Sequence, residues 1–371
     1  MSNVLEKKLI ILDDLFPYLK TGFRVSEYNH YLDKFPNCEM YSNVYEKYID
    51  EYSKVYPQYT EKIKPIASFD SSRRDYALIY TVFINGIMNY LKFINATHTP
   101  FVFTLYPGGG FWLNDPVVNN KLVYAFKSPY FRKVIVTQKR TYDYIIENGF
   151  VTKDQVEMIY GMVTHPQYFN ETIPKKYYKK DKPNFDICFV SHKYMPRGID
   201  KGYDVFIEVC KKLAVDIPDI RFHVVGNYSN GDIDVSQIRD KITFYGLQNS
   251  DFFQKFYSSM DMIISPNVPF VLVKGKNFDG FPTGCCIDAT LNGVGLCCTD
   301  ELHQNISFKH HQDIIIVQRD VNTIVNQVKY YYTSPQKLYK LSMLGQLKSK
   351  KLFDFNMQME KRVAVIQEAM Q

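Results

Sequence analysis

Residues 278–300 read FDGFPTGCCIDATLNGVGLCCTD. A turn between Gly280 and Gly284 runs into a short helical stretch, Cys286 to Leu291, and then into the apolar run Val294–Cys298. A second apolar run, Met262–Ser265, lies upstream, so a helix joins two strands, the connection that parallel strands require. The alternation continues outward in both directions. Upstream come strand Asp186–Val190, a helix from Tyr203 to about Leu213, strand Arg221–Val225, strand Ile242–Tyr245 and a helical segment from Asp251 to Ser259. Downstream come strand Asp313–Val317 and about forty helical residues at the end of the chain. The first half carries the same pattern: strands at Lys8–Leu12, Ala77–Phe83, Phe101–Leu105, Val134–Thr137 and Val156–Ile159, with a helix after Gly22 that puts Val25, Tyr28, Leu32 and Phe35 on one face. Residues 36–76, rich in Tyr and Lys and poorly periodic, receive no assignment. A chain of 371 residues exceeds one ordinary core. The expectation is α/β with two Rossmann-like domains facing across a cleft: an N-terminal domain over 1–172, a Pro- and Lys-rich linker over 173–184, a second domain over 185–354 and a terminal helix over 355–371. Open sheets of this kind bind ligands at the carboxyl ends of their strands.

Apolar residues make up 46% and charged residues 23%, a globular balance. No stretch approaches the ~20 apolar residues of a membrane span, and Asp13-Asp14 fall where a signal peptide would have its cleavage region, so a cytoplasmic location is expected. The seven cysteines include the adjacent pairs Cys285-Cys286 and Cys297-Cys298 inside apolar runs, which read as buried thiols. Net charge is +6, densest over Lys175–Lys182. That stretch reads as a solvated linker or, more sharply, as a peripheral contact with anionic lipid at the membrane; no recognition motif accompanies it, so nucleic acid is not expected as a partner. No Asp-x-Asp stands at a strand end, and Asp232-Ile-Asp234 falls in a polar loop, so no metal is expected.

The Gly280–Gly284 turn at a helix start is an anion site by its free amides. Asp279 and Asp288 flank it, suited to hydroxyl groups of a sugar and a ribose rather than to phosphate. Gly226-Asn227, Gly246-Leu247-Gln248 and Ser265-Pro266 end three strands of the same half with small residues, room for a flat base and its ribose. No GxGxxG follows a strand, and Gly108-Gly109-Gly110 lacks its spacing, which disfavours a dinucleotide-dependent oxidoreductase.

The order Asp279-Gly280-Phe281, Asp288-Ala289, Thr299-Asp300, together with Lys201-Gly-Tyr-Asp204, Val224-Val-Gly226, Phe244-Tyr-Gly246 and Asp261–Pro266, resembles glycosyltransferase family 4, retaining enzymes of the glycosyltransferase B fold. The resemblance covers residues 186–360, is looser in the first half, and implies that the terminal helix, 355–371, crosses back to the first domain. It implies a metal-independent hexosyl or related transferase of glycan biosynthesis. Such an enzyme moves a sugar from a nucleotide-diphosphate sugar, a substrate and not a cofactor, to a glycan, lipid-linked or other acceptor. The alternatives are a nucleotide-sugar-binding or scaffolding protein without turnover and another enzyme on this fold, such as an epimerase. Carried over residue by residue, Lys201 neutralises the donor diphosphate, Asp279 lies near the transferred sugar and Asp288 holds the ribose. Phe281, Pro282, Thr283 and Gly284 hold sugar and phosphate, and Gly226, Gly246, Leu247 and Ser265 line the nucleotide. Gly22, Gly108 and Gly109 form acceptor or phosphate loops. Departures are equally specific. Aspartates nine apart replace the family's glutamates eight apart, and Ser191-His192-Lys193 replaces its arginine, leaving Lys193 or Arg197 in that role. Tyr106 stands where the family has a catalytic histidine, and a phenol is a poor base near neutrality.

Overall fold

The computed structural model describes residues 8–170 and 173–371. The first seven residues, part of the segment read for a signal peptide, and Glu171 and Thr172, the last two of the expected N-terminal domain, lie outside them. The chain divides into two units, the first running to Val163 and resuming at Phe355–Gln371, the second spanning Thr164–Asp354.

In the first unit, strands β1 (Lys8–Asp13), β2 (Glu39–Ser42), β3 (Ile63–Pro65), β4 (Tyr76–Val82), β5 (Phe101–Leu105), β6 (Phe131–Val136) and β7 (Val156–Met158) form one sheet in the order β3-β2-β1-β4-β5-β6-β7. Every pairing is parallel. Helices α1 (Gly22–Lys34), α2 (Tyr45–Val55), α3 (Ile84–Thr97), α4 (Pro116–Phe126) and α5 (Lys139–Glu147) make crossovers. β5 is buried along its whole length, as a central strand covered on both faces must be, which is why it reads as an unbroken apolar run. The unassigned region 36–76 contains β2, β3 and α2.

The second unit begins with the one-turn helix α6 (Gln167–Asn170). Its sheet takes β8 (Phe185–Val190), β9 (Ile220–Val225), β10 (Ile242–Phe244), β11 (Met262–Ser265), β12 (Gly295–Cys298) and β13 (Ile315–Ile316) in the order β10-β9-β8-β11-β12-β13, again all parallel. Helices α7 (Tyr203–Asp216), α8 (Ser250–Ser258), α9 (Gly284–Leu291), α10 (Val321–Thr333) and α11 (Pro335–Leu352) complete it. The α7 face made by Phe206, Val209, Cys210 and Leu213 packs with α10 residues Ile324 and Val328 in one apolar cluster.

Residues 173–184 lie against the second sheet. Lys176 N donates to Ser258 O at 2.8 Å, and buried Tyr178 donates its hydroxyl to Asp219 at 2.6 Å. Lys182 forms ion pairs with Asp186 and Asp261. Lys175 donates to the carbonyls of Tyr257 and Met260, and burial pushes its ammonium down to about 7 against the attraction of Asp261. Two of the lysines that suggested a lipid contact are thus turned inward, because the carbonyls left over after α8 and the Asp186–Asp261 pair need donors.

The last helix, α12 (Phe355–Ala369), belongs to the first unit, as the sequence led one to expect. It brings Arg362, fully buried, to Glu27 of α1, also fully buried, at 3.3 Å. The guanidinium also donates to Thr104 Oγ1 at 3.0 Å and to Tyr106 Oη at 3.2 Å. Tyr31, Tyr80 and Tyr106 donate to the Glu27 carboxylate, so a charged pair taken out of water is enclosed by hydroxyl groups. No described helix is long and apolar enough to cross a membrane.

Candidate functional site

The strand order of the second unit reverses between β8 and β11, and an open parallel sheet has its binding crevice at such a reversal. Two loops meet there. The loop after β8 ends in a 3-10 turn, Pro196–Lys201, followed by Gly202 at φ 76°. A Cβ on Gly202 would stand 2.1 Å from the carbonyl oxygen of Pro266, in the loop after β11. Only glycine permits both that backbone angle and that contact. Gly202→Ala is therefore expected to shift Lys201 away from the crevice and to destabilise the fold by about 2–3 kcal/mol. Chemical unfolding measures this, and wild-type stability in the variant would contradict the expectation.

Lys201 Nζ reaches both oxygens of Asp279, at 2.7 and 2.6 Å. Burial opposes the charge on this ammonium, but the attraction and hydrogen bonds of Asp279 outweigh it and hold the Lys201 pKa above the ordinary lysine value. Asp279 is fixed in turn: Asn267 Nδ2 donates to its Oδ2 at 2.8 Å and Gln304 Nε2 to its carbonyl at 3.0 Å. Ser265 Oγ donates to Asn267 Oδ1 at 2.8 Å, and Thr299 Oγ1 to the Asn267 carbonyl at 2.6 Å. Burial raises the carboxyl pKa of Asp200, next to Lys201 and only 2% exposed.

Immediately after Asp279, the turn Gly280–Thr283 leads into α9, whose first residue is Gly284. No side chain caps this helix; Thr283 Oγ1 lies against the Cys286 thiol at 3.1 Å instead, so the first-turn amides keep their capacity for an anion. Ser265, Asn267, Asp279, Phe281, Thr283 and Gln304 line one cavity, whose wall Pro282 and Cys298 also share. An uncapped helix start and Asp279, the partner of the Lys201 ammonium, therefore border one hollow of mixed polar and apolar lining.

Further along the rim, Gly226 N donates to Gly246 O at 3.0 Å, tying the ends of β9 and β10 together. Space above Gly246 is open, and Leu247 beside it is half-buried. Lys193 is engaged by Asp232, and its amide by Asn227 Oδ1 at 2.7 Å, while Arg197 is exposed. Asp234 accepts from Ser236 N at 2.9 Å, so both acids of Asp232-Ile-Asp234 have local partners. Among the described residues, no three His, Cys, Asp or Glu side chains gather as a metal would need.

Asp288 lies within α9, one oxygen buried without a hydrogen-bond partner among the described residues, and burial pushes its carboxyl up to about 7. Against an unfolded value near 3.9, the folded chain holds this proton across the interval between the two. Its contribution to stability is complete below the unfolded value and is lost as pH rises through about 7. Asp288→Asn is thus expected to stabilise the chain at pH ~8 by up to about 4 kcal/mol and to leave it unchanged at pH ~3. Unfolding at the two pH values measures it; equal effects at both would contradict it.

In the first unit, Gly22 is the first residue of α1 and Gly108 and Gly109 follow β5. A Cβ on Gly109 would stand 2.2 Å from the Phe83 ring, so this turn packs on the start of α3. Tyr106 is 6% exposed, and burial, with Glu27 beside it, holds its phenol well above the ordinary value. The Tyr106 hydroxyl donates to Glu27 and accepts from Arg362, each at 3.2 Å.

The sequence reading singled out Lys201, Asp279, Ser265 and 280–284, and these residues meet in one place. Lys193, Arg197, Gly226, Gly246, Leu247 and Asp288 stand elsewhere in the same unit. Asn267 and Gln304 were missed. Asn267 sits two residues beyond Ser265, and a polar residue just past a strand end was the available signal; Gln304 lies in an irregular segment that offers none.

No family model matches the chain, and no curated protein matches it. Solved structures match over nearly all of it. HepE of Anabaena, in complex with UDP-glucose, is 14% identical with a TM-score of 0.69, covering 97% of this chain and 99% of that one. A glycosyltransferase from Rickettsia africae ESF-5 is 15% identical with a TM-score of 0.70, covering 98% and 99%. Sucrose-phosphate synthase of Thermosynechococcus elongatus is 12% identical with a TM-score of 0.66, covering 98% of each chain. Two parallel α/β sheets, the return of α12 to the first unit and these neighbours together give the chain the glycosyltransferase B fold.

Proposed function

We propose that this chain is a glycosyltransferase that takes a sugar from a nucleotide-diphosphate donor and delivers it, with retention of configuration, to a glycan or lipid-linked acceptor. The observation that carries the reading is the Lys201–Asp279 pair beside the uncapped start of α9, at the reversal of the second sheet. Cleavage of the sugar–phosphate bond puts negative charge on the departing diphosphate. The Lys201 ammonium and the α9 amides stabilise that charge without a metal, and groups that meet charge as it develops act chiefly in the transition state. Asp279, fixed by Asn267 and Lys201, accepts from hydroxyls of the transferred sugar; Asp288 takes the ribose; Gly226, Gly246 and Leu247 face the base.

UDP-glucose, present in the HepE structure, is the first donor to test. Incubation with a panel of nucleotide sugars and candidate acceptors is expected to release nucleoside diphosphate, and NMR of the product is expected to show the donor's anomeric configuration. An inverted product would remove retention, and no release with any donor would remove transfer. One observation favours a second reading, a donor-binding protein without turnover: Tyr106, at the place of the family histidine, is committed to Glu27 and Arg362. Tight donor binding with no transfer would select it.

A further inference from the structure

Away from the crevice, α10 and α11 wall a cavity of about 560 Å³ whose lining includes His311, Tyr330, Lys337, Lys340, Leu341 and Leu344 and no acidic side chain. Lys337 Nζ donates to Tyr330 Oη at 2.7 Å and lies 4.7 Å from the ring centre, so one cation is held against an aromatic face. The outer side of α11 continues this surface. Met343 is 53% and Leu347 64% exposed, with half-buried Leu344 between them and Tyr330 45% exposed nearby. Lys340, Met343, Leu344, Leu347 and Lys351 follow helical spacing along one face. The helix carries Lys337, Lys340, Lys348, Lys350 and Lys351 and no Asp or Glu.

We propose that this face and its cavity dock on an anionic phospholipid surface, with a lipid phosphate at Lys337 and Lys340 and the Met343–Leu347 stripe among the acyl chains. A helix with an apolar stripe bordered by lysines, whose stems lie along the boundary while their charges reach head groups, is built for the plane of such a surface. Charge decides the occupant: of the five lysines Lys348 is paired with Asp313, and Lys337, Lys340, Lys350 and Lys351 match a negative surface and would repel a basic one. In Lys175–Lys182 only Lys176, Lys179 and Lys180 stay exposed, without an apolar helical stripe beside them, since Lys175 and Lys182 are paired internally. The opposite side of α11 holds α9, through Ser349 Oγ to Thr290 Oγ1 and Gln346 Nε2 to the Leu291 carbonyl, each at 2.8 Å. Docking by the outer face therefore leaves the helix behind the polar crevice undisturbed, and the inference does not depend on the transfer reaction.

Sedimentation of the full chain with vesicles tests it. Vesicles of phosphatidylcholine mixed with phosphatidylglycerol are expected to carry the protein down, less so as salt rises, and vesicles of phosphatidylcholine alone are not. Lys337→Glu with Lys340→Glu is expected to weaken partitioning at least about tenfold, and Met343→Ser with Leu347→Ser several-fold, both with wild-type circular dichroism and Tm. Failure of the wild type to bind the anionic vesicles, or wild-type binding by both variants, would overturn the proposal. Saturable calorimetric binding of inorganic phosphate, lost in the lysine double variant and unaccompanied by vesicle binding, would also overturn it in favour of a soluble phosphate compound.

Discussion

Lys201→Ala is expected to lower kcat/KM for sugar transfer by about 10³-fold. Two losses combine. The variant removes a cation from the departing diphosphate, an interaction of the kind that costs about 10²–10³ in rate when deleted. It also leaves the Asp279 carboxylate, 2.6 Å from the ammonium in the wild type, without its counter-ion beside an anionic ligand. Asp279→Asn separates the two contributions. It keeps Lys201 and removes the competing charge, so nucleoside diphosphate alone is expected to bind as tightly as in the wild type or more so, while turnover falls with the lost contact to the sugar. Steady-state kinetics and calorimetry on the two variants give the comparison. Similar losses of diphosphate affinity in both would mean that the pair maintains the loops and does not bind the ligand.

The second large effect falls on stability. Arg362→Met leaves Glu27 fully buried with no cation, and breaking a buried pair by removing one partner costs about 3–5 kcal/mol. At roughly 2–4 °C per kcal/mol for a unit of this size, the melting transition of the first unit is expected to fall by roughly 10 °C. Adding Glu27→Gln to Arg362→Met removes the stranded charge, and most of the loss is expected to return, because a neutral amide can still accept from Tyr31 and Tyr80. Calorimetric scans of the wild type, single and double variants measure this. A double variant no more stable than the single would show that the arginine contributes by packing and its bonds to Thr104 and Tyr106, not by pairing.

The sequence revealed most of the second sheet because its central strands are short apolar runs: β8, β11 and β12 are buried at every position. β8 is buried at all six positions, and its boundary was off by one residue. Region 36–76 was opaque for a physical reason. β2 and β3 span four and three residues, too short for a period to show, and α2 buries only Ile49 and Tyr52 among tyrosines and lysines that suit a surface as well as a core. Composition could equally not show that Lys175 and Lys182 turn inward, since that depends on α8 ending and on Asp186 meeting Asp261 across the sheet. Within the crevice, the sequence located Lys201 and Asp279 but treated them as ligands of separate groups, whereas they form one ion pair held by Asn267. Partners seventy-eight positions apart become visible only when β8 and β11 lie side by side.

A crystal structure of the chain grown with UDP would decide where the nucleotide lies. Diphosphate oxygens are expected within hydrogen-bond distance of Lys201 Nζ and of backbone amides in the 280–284 turn, with the base beside Gly246. Nucleotide bound elsewhere on the second unit, with Lys201 and Asp279 still paired and untouched, would contradict it.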